Sequence, residues 1–225
     1  MSKETIIISL GGSVVAPKDI DVGFLKEFKK CLEAYFNAKK FVVFVGGGKI
    51  ARIYQKALKE FGAKDTEMDW IGINASRMNA EVIKNVFGNR SYSKVITDPS
   101  KKINANKDIL VAAGWKPGWS TDYCSVMMAK TLGAKTVINL TNIDYVYDKD
   151  PNKFKDAKKI ENISWPDFQK IVGDKWSPGL STPFDPRASK LAKKLKLKVI
   201  VINAWHLERL KDFLSNKKFI GTIIE

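Results

Sequence analysis

Apolar residues gather in short β-branched blocks separated by longer stretches of helical spacing, and the two kinds alternate along the chain. Thr5 to Leu10 (TIIISL), Phe41 to Val45 (FVVFV), Asp108 to Ala113 (DILVAA), Lys135 to Leu140, Lys198 to Ile202 and Phe219 to Ile224 read as strands, with a further short one at Lys94 to Thr97. FVVFV alternates on neither face, as expected of a strand buried on both sides of a parallel sheet. Phe24 to Phe36, Ile50 to Phe61 and Met68 to Phe87 space their apolar residues as helices packed on one face. Tyr123 to Leu132, a short segment after Ile160 with Ser164 and Asp167 in capping-box positions, Asp185 to Leu195 and Trp205 to Leu214 complete the helices, and Lys175 to Phe184 is a Pro/Gly/Ser loop. Strand and helix in alternation predict an α/β fold with a mainly parallel sheet.

Two strands run straight into glycine. Gly11-Gly12-Ser13 follows the first, and Gly46-Gly47-Gly48-Lys49 follows the second and opens a helix. Glycine lets backbone N–H groups approach an anion that a Cβ would hold off, so both turns are candidate phosphate cradles. Neither fits G-x-G-x-x-G or G-x-x-x-x-G-K-[ST], which disfavours a dinucleotide fold and a P-loop NTPase.

The chain has 225 residues, 44% of them hydrophobic, enough for a full core. No run reaches the roughly 18 apolar residues of a membrane helix, and a strand begins too near the first residue for a signal peptide, so a cytoplasmic location is expected, with no membrane partner. Cys31 and Cys124 lie far apart, without metal or disulfide spacing. The net charge is +15, yet only Arg52, Arg77, Arg90, Arg187 and Arg209 are arginines. Bidentate contacts to phosphate and bases favour arginine, so the lysines read as a solvated face that attracts small polyanions, and no nucleic-acid partner is expected.

Ligands of an open parallel sheet bind beyond the carboxyl ends of its strands. The segments expected there are Gly11 to Ser13, Gly46 to Lys49, Ala113 to Asp122 (AGWKPGWSTD) and Thr141 to Asp150. Together they offer backbone donors, the cations Lys49 and Arg52, the carboxylates Asp122 and Asp144, and the rings of Trp115, Trp119, Tyr145 and Tyr147. The single histidine, His206, has no nucleophile to serve, and no cysteine stands near a base. Phosphates on glycine turns with few acid–base groups suit phosphoryl transfer, which needs positioning and charge neutralisation.

IIISLGGS, FVVFVGGGKIAR, DWIGINASRMNA, AGWKPGWSTD, LTNIDYVYDKDP and FDPRASKLA, in this order, resemble the amino-acid-kinase fold and most closely its archaeal-type uridylate kinases. The resemblance implies a three-layer α/β sandwich in one domain over 1–225, with an acceptor-binding part at roughly 1–133 and an ATP-binding part at roughly 134–225. It implies transfer of the γ-phosphoryl of ATP to UMP. Gly12, Ser13, Gly48, Arg52, Thr141, Asn142, Tyr147 and Asp150 would bind ATP. Gly47, Asp69, Trp115, Lys116, Pro117, Gly118, Trp119, Ser120 and Thr121 would bind UMP, with Arg77 and Asn79 as weaker candidates. Asp122 would organise cationic groups around the transferring phosphoryl. Magnesium would arrive on the ATP phosphates, with no metal site of the protein's own, and a homo-oligomer, dimer or hexamer, is expected.

Many relatives carry a lysine where Ser9 stands, so another cation must help; Lys49 is the candidate and Lys116 the reserve. Trp115, Lys116 and Trp119 replace smaller or histidine-like residues, and Tyr145 replaces a glycine. These departures leave two further readings: a kinase of the same fold with a changed phosphorylated acceptor, and a nucleotide-binding regulator or storage protein without catalysis.

Overall fold

The computed structural model describes residues 3–151, 153–175 and 182–225. The chain begins with β1 (Glu4–Leu10), the single turn α1 (Gly12–Val15), α2 (Val22–Glu33), β2 (Lys39–Val45), α3 (Gly48–Glu60) and α4 (Asp65–Phe87). A 3₁₀ turn, Gly88–Arg90, leads by way of a loop to β3 (Ile109–Ala112), α5 (Thr121–Leu132) and β4 (Thr136–Thr141). Three two-residue strands follow, β5 (Val146–Tyr147), β6 (Lys159–Ile160) and β7 (Asn162–Ile163). The chain ends with α6 (Trp165–Val172), α7 (Pro186–Lys194), β8 (Lys198–Asn203), α8 (Leu207–Leu214) and β9 (Thr222–Ile224).

Seven strands form one sheet in the order β3-β2-β1-β4-β8-β9-β7, while β5 and β6 pair separately. The five strands from β3 to β8 are parallel, and β9 runs antiparallel to β8. Alternate residues of each strand face opposite layers. Ile6, Ile8 and Leu10 pack on one side with Phe28 of α2, Ile83 of α4 and Leu210 of α8; Ile7, Val42 and Phe44 pack on the other with Met128 of α5, Phe168 of α6 and Ala188 of α7. Helices cover both faces, which is why the central strands read as continuous apolar runs.

Helix α3 stands outside these layers. Only Ala51 of it is buried, and it lies along α4. Among the described residues no helix is long and apolar enough to cross a membrane. The strand expected at Lys94 to Thr97 does not form: Ile96 makes a single bridge to Ala112, and Ser91 another to Ile109. The loop expected at Lys175 to Phe184 falls largely outside the described residues.

From β1 the chain moves outward through β2 to β3, then returns to the other side of β1 with β4. The strand order therefore reverses between β1 and β4, where an open α/β sheet opens a crevice. Gly12 and the glycine turn after β2 meet at this rim. A Cβ on Gly12 would stand 2.2 Å from the Gly46 carbonyl oxygen and 2.4 Å from the Gly48 nitrogen. One on Gly48, whose φ is +66°, would stand 2.3 Å from the Gly12 carbonyl carbon. Gly12→Ala should cost about 3 kcal/mol or more, because backbone must move on both sides. Gly133→Ala, at φ +70° with open space around it, should cost about 1 kcal/mol. Urea denaturation of the two variants measures the difference.

Candidate active site

A cleft of about 470 Å³ lies over the reversal point, lined by the exits of β1, β2 and β4, by α3 and α4, and by the loop into α5. Gly12, Ser13, Gly47 and Gly48 form its floor with Ser9. Helix α4 fixes the turn from behind: Ser76 Oγ donates to the Val45 carbonyl at 2.6 Å, and Asn79 Nδ2 donates to the Gly46 carbonyl at 2.9 Å. The same Ser76 hydroxyl accepts from Gly114 N–H at 2.8 Å, so one side chain joins the exits of β2 and β3. Asn79 is buried behind the turn and does not line the cleft.

Asp122 is held from two directions. Ser120 caps α5 by accepting from Tyr123 N–H, which frees the Asp122 carboxylate to turn inward. Its Oδ1 accepts from Ser9 Oγ at 2.7 Å and its Oδ2 from Asp185 N–H at 3.1 Å. Ser9 thus supplies a hydroxyl to the carboxylate. Asp185 caps α7 through its Oδ1, which accepts from Ala188 N–H at 2.6 Å, while its buried Oδ2 has no hydrogen-bond partner. Burial first, and then the neighbouring Asp185 carboxylate, push Asp122 up to about 6. Burial likewise raises Asp185.

Arg52 is the only cationic side chain lining the cleft among the described residues, and its Nη2 donates to Ser13 Oγ at 2.6 Å. Lys49, expected to face the phosphoryl, is exposed on the first turn of α3 and does not line the cleft. Arg52 stands one turn beyond Gly48 on the side of the glycine turn, whereas Lys49, the residue after Gly48, is exposed away from the cleft. Lys116 is also directed elsewhere, its Nζ lying 4.1 Å from the centroid of the Trp115 ring.

Of the expected acceptor residues, Gly47, Asp69, Trp119, Ser120 and Thr121 line the cleft; Trp115, Lys116, Pro117 and Gly118 do not. The Trp115 carbonyl accepts from Arg77 at 3.2 Å. Asp69 Oδ2 accepts from Gly118 N–H at 2.7 Å, leaving its other oxygen for a ligand. Burial raises this carboxyl too. Thr141 and Asn142 line the β4 side of the cleft, whereas Tyr147 and Asp150 lie beyond it, carried off by the β5–β6 hairpin. Asp144 is held away by Arg209 and Asn203 and kept below the usual carboxylate range. Tyr145 is not among the residues with positive φ, so replacing glycine there strains nothing. Sequence reasoning assigned no task to Ser76, Asp185 or Arg187. The segment FDPRASKLA carried the last two, but their role depends on contacts 63 and 69 residues away.

A reversed parallel sheet whose crevice holds glycine turns, one arginine and an anchored carboxylate defines a phosphate-handling protein of the α/β class. The sequence matches the Amino acid kinase family over residues 4–203, and the chain belongs to that family. It is 35% identical to the uridylate kinase of Pyrococcus abyssi over 98% of this chain and 99% of that protein. Identity to the uridylate kinase of Methanococcus aeolicus is 37%, covering 97% and 98%. The crystal structure of uridylate kinase from Archaeoglobus fulgidus matches with a TM-score of 0.83 at 31% identity, covering 98% of this chain and 99% of that one. UMP kinase from Ureaplasma parvum, at 19% identity over the whole of both chains, shares the fold with a TM-score of 0.81.

The raised Asp122 carboxyl keeps its proton in the native state from pH 3.8 to about 6, where the unfolded chain loses it. Its contribution favours the fold at acid pH and fades as pH rises through about 6. Asp122→Asn, neutral at every pH, should therefore raise Tm by about 4 °C at pH 7.5 and by less than about 1 °C at pH 4. Calorimetry at the two pH values checks the sign.

Proposed function

We propose that the chain is a UMP kinase that transfers the γ-phosphoryl group of ATP to UMP, giving ADP and UDP. The observation that carries this reading is the place of the paired glycine turns within one cleft, between Asp69 and Trp119 on the β3 side and Thr141 and Asn142 on the β4 side. Full-length similarity to archaeal proteins named uridylate kinase supports it. In this reading residues from roughly 1–133 hold UMP and those from roughly 134–225 hold ATP.

A UMP phosphate oxygen attacks the γ-phosphorus as the bond to the β–γ bridging oxygen breaks, and ADP leaves. Backbone N–H groups of the glycine turns and the Arg52 guanidinium gather the phosphates, while Asp122, anchored by Ser9 and Asp185, faces them from α5. Among the described residues no three His, Cys, Asp or Glu side chains come together to hold a metal. The Ser13 and Thr121 hydroxyls and the Asp122 carboxylate suit Mg²⁺ carried by ATP, an ion that keeps several waters. Bound there, it would supply further neutralisation of the phosphate charge.

A coupled ADP-release assay with UMP, CMP and AMP tests the reading, and saturable ATP binding without turnover of any acceptor would sink it. Arg52→Ala should lower kcat/KM by about a hundredfold. Lys49→Ala should change it by less than about threefold, as for a solvated surface charge. We also propose a homo-oligomer formed with a second copy, supported by the exposed Ile53 and Tyr54 of α3, Phe61 at its C-terminal cap and Met78 of α4. Light scattering should return a multiple of the chain mass; a monomer at micromolar concentration overturns this.

A further inference from the structure

The peptide units of Gly118 are gripped from two sides. Its N–H donates to Asp69 Oδ2 on α4 at 2.7 Å, and its carbonyl accepts from Arg187 Nη1 on α7 at 2.8 Å. Gly118 has φ +87°, a conformation that side-chain-bearing residues adopt only under strain. Glycine adopts that conformation freely, so the loop is held in one shape by these two contacts, which come from opposite halves of the chain.

The same arginine also meets the next residue. Its guanidinium carbon lies over the Trp119 ring, 5.9 Å from the centroid, and Trp119 stacks on Tyr123 with centroids 4.2 Å apart at 30°. Trp115 continues the stack at 6.4 Å. Of these three rings only Trp119 lines the cleft, beside Asp69, Gly72 and Ile73. A large indole would otherwise have several rotamers open to it; between Tyr123 and a guanidinium it becomes a fixed wall. Helix α7 also holds Asp122 through Asp185 N–H, so the turn that carries Arg187 touches both the central carboxylate and the acceptor loop.

We propose that Arg187 is a positioning residue for the acceptor: by bracing Gly118 and Trp119 from α7, it fixes the wall against which the acceptor nucleoside monophosphate is selected. It acts through the loop and not by touching the phosphoryl group. A loop that is already in its binding shape does not lose affinity to the unfavourable share of its own conformations. The proposal rests on the UMP kinase reading for its substrate, but the brace itself is measurable without one.

The test compares wild type with Arg187→Leu and Arg187→Lys. With UMP varied, Arg187→Leu should raise the KM for UMP by about five- to tenfold, the effect of a charge-assisted hydrogen bond discounted for its exposure. The KM for ATP should move by less than about twofold and kcat likewise, because the glycine turns and Arg52 are untouched. Arg187→Lys should recover only part of the loss, since an ammonium cannot both stack on the indole and donate in the same plane. Without nucleotide, hydrogen exchange in the peptide covering 114–120 should accelerate in Arg187→Leu, and its near-UV circular dichroism should lose intensity from the Trp119–Tyr123 stack. Equal increases in the KM for UMP and ATP, or unchanged exchange at 114–120, overturn the proposal. Wild-type protein that turns over no UMP, with exchange at 114–120 still dependent on Arg187, sinks the substrate assignment and leaves the brace standing.

Discussion

Two strand ends pressed together without side chains set the terms for everything else at this rim. The exit of β1 and the exit of β2 approach so closely that an added methyl at Gly12 would overlap the backbone of Gly46 and Gly48. That contact leaves the local N–H groups without bulky neighbours and aligns two turns as one floor. Ser76 and Asn79 then hold the floor from below, and the loop after β3 is tied to it through the same serine hydroxyl. The cleft is thus a consequence of backbone packing at a reversal of strand order, and the side chains complete it.

The charge around this floor is poor in cations. Arg52 is the single cation lining it among the described residues, while Asp69 and Asp122 line it as carboxylates and Asp185 stands behind. Two adjacent carboxylates, one buried and one half-buried, are costly, and here they are sustained by a serine hydroxyl, a backbone N–H and a helix cap. A site with this balance of charge favours the arrival of a cation.

Much of the sheet was legible because its central strands are short, β-branched and buried on both faces, a pattern that helix-forming segments do not share. The glycine turns were legible as strand exits that meet at the rim for the same reason: Gly11-Gly12-Ser13 and Gly46-Gly47-Gly48 follow such strands directly. Of the two cations expected there, Arg52 lines the cleft and Lys49 does not, because Arg52 lies one helical turn from Gly48 while Lys49, though next to the glycines in sequence, is rotated away from them. The Lys94 to Thr97 segment has strand composition but reaches its neighbour at one residue only. Asp185 and Arg187 were invisible as actors since their partners are distant in sequence, and no local pattern encodes which carbonyl an arginine will meet.

Helix α4 has a mechanical meaning beyond its contacts. Its residues from Ile73 onward reach the core, ending at Ile83 and Phe87, whereas Asp65 to Gly72 stay exposed or half-buried and carry α3 alongside. The first eight residues, about 12 Å of helix, therefore overhang the sheet like a beam clamped firmly at one end and tied at the other by Asp69 to Gly118 and by Gln55 to Met68. A helix resists bending, so a load applied near Asp69 is borne as torque at the clamp, where Ser76 and Asn79 grip the glycine turn. The width of the cleft is then tied to the stiffness of one helix, and softening that helix would widen the cleft without altering any residue that lines it.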